Sequence, residues 1–207
     1  MRRLHENGAA LVTALVLMLA VLMAGVCAAR TALNAEKSAR AERDRHIALQ
    51  AAEAALTDAE RDIGGGLDPA SSRAAALASG SAAAFAPGCG RTSFDLGLCQ
   101  AADGHAHPAW HAVDLAGDFA VPYGRFTGAA MPTGTGLLPA RRPAYIIELL
   151  PPASGQPSGS VYRITAIGFG TRASTQVVLQ SWYRLPRQRI GWREVANWPE
   201  LHQAAIE

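Results

Sequence analysis

Residues 9–29 read AALVTALVLMLAVLMAGVCAA, and residues 30–63 continue RTALNAEKSARAERDRHIALQAAEAALTDAERDI. The first stretch carries no charge over 21 positions. As a helix rising about 1.5 Å per residue it spans roughly 32 Å, enough to cross a hydrocarbon core of about 30 Å. Its polar interruptions, Thr13 and Cys27, are both tolerable in lipid. A cleaved secretory signal is the alternative, but such apolar cores run about 7–15 residues and end in a small-residue cleavage site. This run is longer, and charged residues follow it with no turn signal, so residues 9–29 are read as a retained membrane anchor. The second stretch lacks Gly and Pro and is rich in Ala, Arg, Glu and Leu, all good helix formers. One helix is therefore predicted from Ala9 to Ile63, ended by Gly64, Gly65 and Gly66.

The outer half of this helix, residues 30–63, has a face. Leu49, Ala52, Leu56, Ala59 and Ile63 recur at spacings of three and four, and Ala48 and Ala55 widen the stripe. Small residues in such a stripe predict close approach to a sheet. The charged part from Arg40 to Arg45 reads as a solvated neck or a contact with neighbouring copies. Further on, Tyr145–Leu150, Val161–Phe169 and Gln176–Leu185 read as strands of an antiparallel meander. In the second, Tyr162, Ile164 and Ala166 share one face; in the third, Val177, Leu179 and Tyr183 do. Residues 64–140 form a Gly/Ala/Pro-rich loop region, in which Val113–Phe119 is predicted as an edge strand. The expected fold class is α+β: a long N-terminal helix packed on a C-terminal antiparallel sheet within 141–185, then a tail, 186–207, whose WREVANWPELHQ segment has no clear assignment.

Composition narrows the chemistry. In 207 residues, 19 Lys+Arg face 17 Asp+Glu, too even a balance for a chain whose main work is to neutralise phosphates. Cys89 and Cys99 bound an 11-residue segment, CGRTSFDLGLC, read as a disulfide loop of an oxidising compartment; two unpaired surface thiols are the alternative. Asp103, His105, His107, His111 and Asp114 fall in one short span, but the two-His helical spacing of a zinc motif is absent. Solvated loop histidines are the expectation, with no metal and no cofactor. TGTG at 133–136 lacks the Lys-Ser/Thr of a phosphate loop, no nucleophile elbow is present, and no catalytic residue is expected. Arg184, Arg187, Arg189 and Arg193 lie among Trp182, Tyr183 and Trp192, which could grip phosphates and stack bases. The plainer reading is packing plus protein contact, with nucleic acid not expected as a partner.

The start of the chain carries a resemblance. A short basic segment, Gly8, then the apolar run resembles the class III leader of prepilins. GAALVTALVLMLAVLMAGV, ERDRHIALQAAEAAL (42–56), GLC (97–99), YRITAIGFG (162–170) and TQVVLQSWYR (175–184) together resemble the PilX-type minor pilins of type IV pilus assembly. The resemblance implies a type IV pilin-like fold and a leader, residues 1–8, removed by a prepilin peptidase between Gly8 and Ala9. It implies a single-pass inner-membrane protein with a periplasmic head, residues 64–207, that later enters the pilus. It further implies a non-catalytic subunit that joins other minor pilins and the major pilin, primes assembly near the filament tip and supports a PilY1-type tip adhesin. Most pilins carry Glu at the fifth mature position; here that position is Thr13, which implies a subunit with no neighbour ahead of it. A type II secretion pseudopilin shares the plan, and a membrane-anchored periplasmic ligand- or DNA-binding protein is the alternative of another class.

Overall fold

The computed structural model describes residues 7–102, 107–151, 159–186 and 188–207. Helix α1 runs from Asn7 to Ile63 without interruption. The chain divides into two compact units, residues 1–43 and 44–207. In the first unit every side chain from residue 10 to residue 43 is exposed. Its bonds are local: the Thr31 hydroxyl donates to the Cys27 carbonyl at 2.9 Å, and Arg40 pairs with Glu36 one turn before it.

The second unit, the head, begins at Asp44. The helix stops where the glycines begin, because Gly65 and Gly66 adopt φ of 112° and 58°, and their N–H groups close onto the carbonyls of Asp62 and Arg61. Helix α2 (Ser72–Ser79) follows, capped by the Ser71 side chain on the Ala74 N–H. Then come β1 (Leu98–Gln100), α3 (Ala109–Ala112), β2 (Val121–Pro122), β3 (Ala144–Leu149), β4 (Val161–Phe169), β5 (Gln176–Arg184), β6 (Gln188–Glu194) and α4 (Trp198–Ile206).

The sheet order is β1-β3-β4-β5-β6, with β2 also on β3. Strands β3 to β6 form an antiparallel meander, Tyr162 opposite Tyr183 and Ala166 opposite Leu179. Strand β1 instead runs parallel to β3, so the sheet is mixed. The loop region therefore holds regular structure that its composition hides, and the tail supplies a sixth strand and a helix.

Two cores sandwich this sheet. On its inner face Tyr145, Ile147, Tyr162, Ile164, Ala166 and Leu179 meet Ala48, Ala52, Ala55, Leu56, Ala59 and Ile63 of α1. On its outer face Ile146, Ile167, Phe169 and Val178 meet Trp110, Val113, Leu115, Val195 and Trp198. The inner contact is close because β4 carries Gly168 where it crosses α1. A Cβ there would lie 2.1 Å from the Ala48 carbonyl oxygen and 2.3 Å from the Ala52 nitrogen.

Two sequence expectations give way here. Val113–Phe119 is not a strand: the Asp114 carboxylate accepts the Ala116 N–H at 2.8 Å and its carbonyl accepts the Gly117 N–H at 3.0 Å, folding the segment into a turn. A short strand forms just beyond it, at Val121–Pro122. Pro108 sits at the N-cap of α3, where its missing N–H has no intrahelical role. The charged neck ends at Arg43, because Asp44 is buried and Arg45 pairs with Glu194 at 2.6 Å.

Candidate functional site: an exposed apolar anchor and a head clamped by buried aspartates

The apolar run stands out chemically because, among the described residues, nothing covers it. Leu11, Leu15, Met18, Leu22 and Met23 are each 63–73% exposed, and the most apolar window of α1 has none of its residues buried. By length and composition this helix suffices to cross a membrane. Gly8 and Ala9, the expected processing pair, lie in the first turns of α1. Thr13 donates its hydroxyl to the Ala10 carbonyl at 2.9 Å, satisfying itself on its own helix. Cys27 is a free, exposed thiol in the same segment.

The expected docking stripe lies against the sheet: Ala52, Leu56, Ala59 and Ile63 are at most 2% exposed, and Leu49 is half-buried beside them. Composition alone missed three aspartates interleaved with that stripe, Asp44, Asp58 and Asp62, all buried. Each holds a segment distant in sequence. Asp44 takes the β4–β5 turn, accepting the Thr171 N–H at 2.5 Å, the Thr171 hydroxyl at 2.7 Å and the Thr175 hydroxyl at 2.5 Å. Asp58 accepts the Gly124 N–H at 2.7 Å and the Thr127 hydroxyl. Asp62 accepts two nitrogens of Arg73 and, at 3.0 Å, the Tyr145 hydroxyl. The available signal was spacing: Asp58 and Asp62 are four apart, on the helix side of Ala55 and Ala59.

Burial alone would raise the Asp44 carboxyl; hydrogen bonds from Thr175, Thr171 and Arg172 outweigh it and hold it well below the usual carboxylate range. The folded chain thus binds this proton less tightly than the unfolded chain. Asp44 stabilises the head at pH values above the unfolded value of about 3.9, and that contribution fades as pH falls below it. The urea midpoint is expected to drop below about pH 4. Asp44→Asn is expected to flatten this acid limb and to remove about 2 kcal/mol at neutral pH. An unchanged acid limb in the variant would assign it to another carboxylate.

Cys89 and Cys99 are disulfide-bonded, closing the loop that ends in β1. Arg73 reaches the same loop, donating Nη1 to the carbonyls of Phe94 (3.1 Å) and Leu96 (2.8 Å) while it pairs with Asp62. One buried guanidinium therefore ties α1, α2 and the disulfide loop together, with the Phe126 ring 3.8 Å away on its face. Reduction is expected to lower head stability by about 2–3 kcal/mol, read as a lower thermal midpoint in reductant. A midpoint that does not move would mean that Arg73 holds the loop unaided.

Of the histidine-rich span, Asp103 and His105 lie outside the described residues. The rings of His107 and His111 lie 5.9 Å apart and tilted by 41°, and the Asp114 carboxylate caps its own turn. Among the described residues no three metal-ligating side chains converge. The tail arginines diverge. Arg189 pairs with Glu60 of α1 at 2.6 Å, whereas Arg193 bonds Gln180 on the other face of the sheet, and Arg187 lies outside the described residues. The basic cluster read along the sequence is thus split between two faces.

Two family models match the chain: PilX N-terminal over residues 7–57, and type IV pilus assembly protein PilX C-term over residues 95–185. Together they cover more than half of it. No curated protein and no solved structure matches.

Proposed function

Because the chain belongs to the PilX family of type IV pilus assembly proteins, we propose that this minor pilin joins other minor pilins to prime assembly of the filament and sits at or near its tip. The observation that carries the reading is the uncovered anchor. A run of side chains as exposed as Leu11 and Met18 must be covered by something outside the chain. In the inner membrane lipid does this; in a filament the anchor helices of other pilins do, so the same surface serves storage and assembly. The head, on the periplasmic side, offers lateral contacts to other minor pilins, to the major pilin and to a PilY1-type tip adhesin. Catalysis has no part in this reading, and the role is structural.

Thr13 supports the tip position. An acidic side chain inside lipid is costly unless paired, and the pilin scheme pairs it with a neighbour's N-terminal amine. Thr13 instead bonds the carbonyl of Ala10 in its own helix and offers no carboxylate to such an amine. A subunit with nothing ahead of it needs none.

Sequencing the N-terminus of the protein recovered from sheared filaments is expected to give Ala9, after removal of residues 1–8 by the prepilin peptidase. A form beginning beyond Arg30 would contradict the retained anchor. Deleting the chain is expected to reduce filament number per cell. Thr13→Glu is expected to lower it as well, by placing a carboxylate where no amine meets it; an unchanged filament count in that variant removes the tip position.

A further inference from the structure

The two faces of the head treat arginine differently. On the inner side each guanidinium named above meets a carboxylate: Arg45 with Glu194, Arg73 with Asp62, Arg189 with Glu60 and Arg172 with Asp44. Around the outer core, three guanidinium groups lie over aromatic rings instead. Arg91 is 3.7 Å from the Phe119 ring centre, Arg141 is 4.6 Å from Phe169, and Arg193 is 5.4 Å from Trp182 and 5.9 Å from Trp110. All three are exposed, and none forms an ion pair among the described residues. Arg141 gives one bond to the Ala116 carbonyl, and Arg193 gives two to Gln180 Oε1, so most of the five donors on each remain unspent.

Carboxylates of this face do not neutralise them. Glu148 is bonded twice by Arg163, at 2.7 Å each, and Asp114 caps Ala116. Asp118, beside Phe119, makes no ion pair with Arg91 among the described residues. His111 registers the resulting field: burial first, then the positive charges of His107, Arg163 and Arg193, hold its pKa down.

Resting on the assembly role above, we propose that this outer face, rimmed by Arg91, Arg141 and Arg193, docks a carboxylate-bearing surface of a neighbouring protein subunit in the pilus. A guanidinium resting over a ring loses part of its freedom, and the N–H groups it leaves unspent can meet a carboxylate. A nucleic acid fits less well, because base stacking needs bare ring faces. The Phe169 and Trp110 rings are 1% and 4% exposed, and each already carries an arginine. The exposed Trp192 pairs with Ser181 between the helix-facing Leu179 and Tyr183, on the opposite side of the sheet.

The test uses the full chain in detergent micelles with a fluorescent oligoglutamate peptide and, separately, oligodeoxythymidylate. The wild type is expected to bind the oligoglutamate, more weakly as salt rises, and the triple variant R91Q/R141Q/R193Q to bind it about tenfold less tightly. Absence of binding by the folded wild type, equal binding by the triple variant, or tighter binding of the oligodeoxythymidylate overturns the proposal. Should the triple variant unfold, the three single Arg→Gln variants carry the same comparison. In cells, loss of filaments on deletion of the chain together with wild-type filament numbers in the folded triple variant also overturns the docking face, while the assembly role stands. Filaments unaffected by deletion would instead remove the assembly role and leave the binding experiment to decide the face.

Discussion

Gly168→Ala is expected to destabilise the head by about 3 kcal/mol or more, and Gly168→Val to leave no folded head at all. The reason is the identity of the colliding atoms. The new Cβ would stand 2.1 Å from the carbonyl oxygen of Ala48, 2.3 Å from the nitrogen of Ala52 and 2.9 Å from its Cα. These are helix backbone atoms, held by the ladder of α1, so no side-chain rotation relieves the contact. Relief requires α1 to move off β4, which would open the inner core around Leu56, Ile164 and Ala166. For a head of this size, about 3 kcal/mol corresponds to roughly 6–12 °C in thermal midpoint. The internal control is Gly191 on edge strand β6, where a Cβ meets nothing within 4 Å. Gly191→Ala is expected to stay within about 0.5 kcal/mol of wild type. Equal midpoints for Gly168→Ala and the wild type would mean that the helix does not approach the sheet this closely.

Arg73→Ala is expected to cost about 3–5 kcal/mol, because it strands a buried partner. Asp62 is 2% exposed and would keep only the Tyr145 hydroxyl, while the carbonyls of Phe94 and Leu96 would lose a donor. The loss should appear as a lower urea midpoint and as trypsin cleavage within the disulfide loop, which Arg73 no longer holds. A double variant, Asp62→Asn with Arg73→Ala, should recover part of the loss, since it removes the stranded charge. A double variant as unstable as the sum of the two singles would show that the pair acts independently rather than as one buried unit.

The anchor and the helix were legible residue by residue. Absence of charge from Ala9 to Ala29, absence of Gly and Pro from Arg30 to Ile63, and the triple glycine after it are local properties, and each acts within a turn or two of the chain. The inner faces of β4 and β5 were legible for the same reason, since alternation assigns Tyr162, Ile164, Val177 and Leu179 without knowledge of the partner. The outer core was half-written: Ile146 and Ile147, adjacent in YIIELL, point to opposite faces, and apolar residues on both faces mark a sheet covered twice. What covers the second face, α3 with the turn after it and α4, comes from short segments too weak in pattern to declare themselves. Trp198 joins α3 by donating its indole N–H to the Trp110 carbonyl at 3.1 Å, across 88 residues.

The greasy stalk, its continuation as one helix and the point where that helix ends can all be read from the residues in order, because propensity and hydropathy act over neighbouring positions. What the charges on it do depends on partners that folding brings from far along the chain. An aspartate on a helix is a solvent residue by composition, and Asp44, Asp58 and Asp62 become clamps because Thr171, Gly124 and Arg73 arrive from elsewhere in the chain with donors to spend. The arginines of the tail, one cluster in sequence, part company because β6 is irregular: Arg189 and Arg193, four apart, would share a face of a regular strand, but the register shift opposite Trp182 and Tyr183 turns one toward Glu60 and the other toward Trp182.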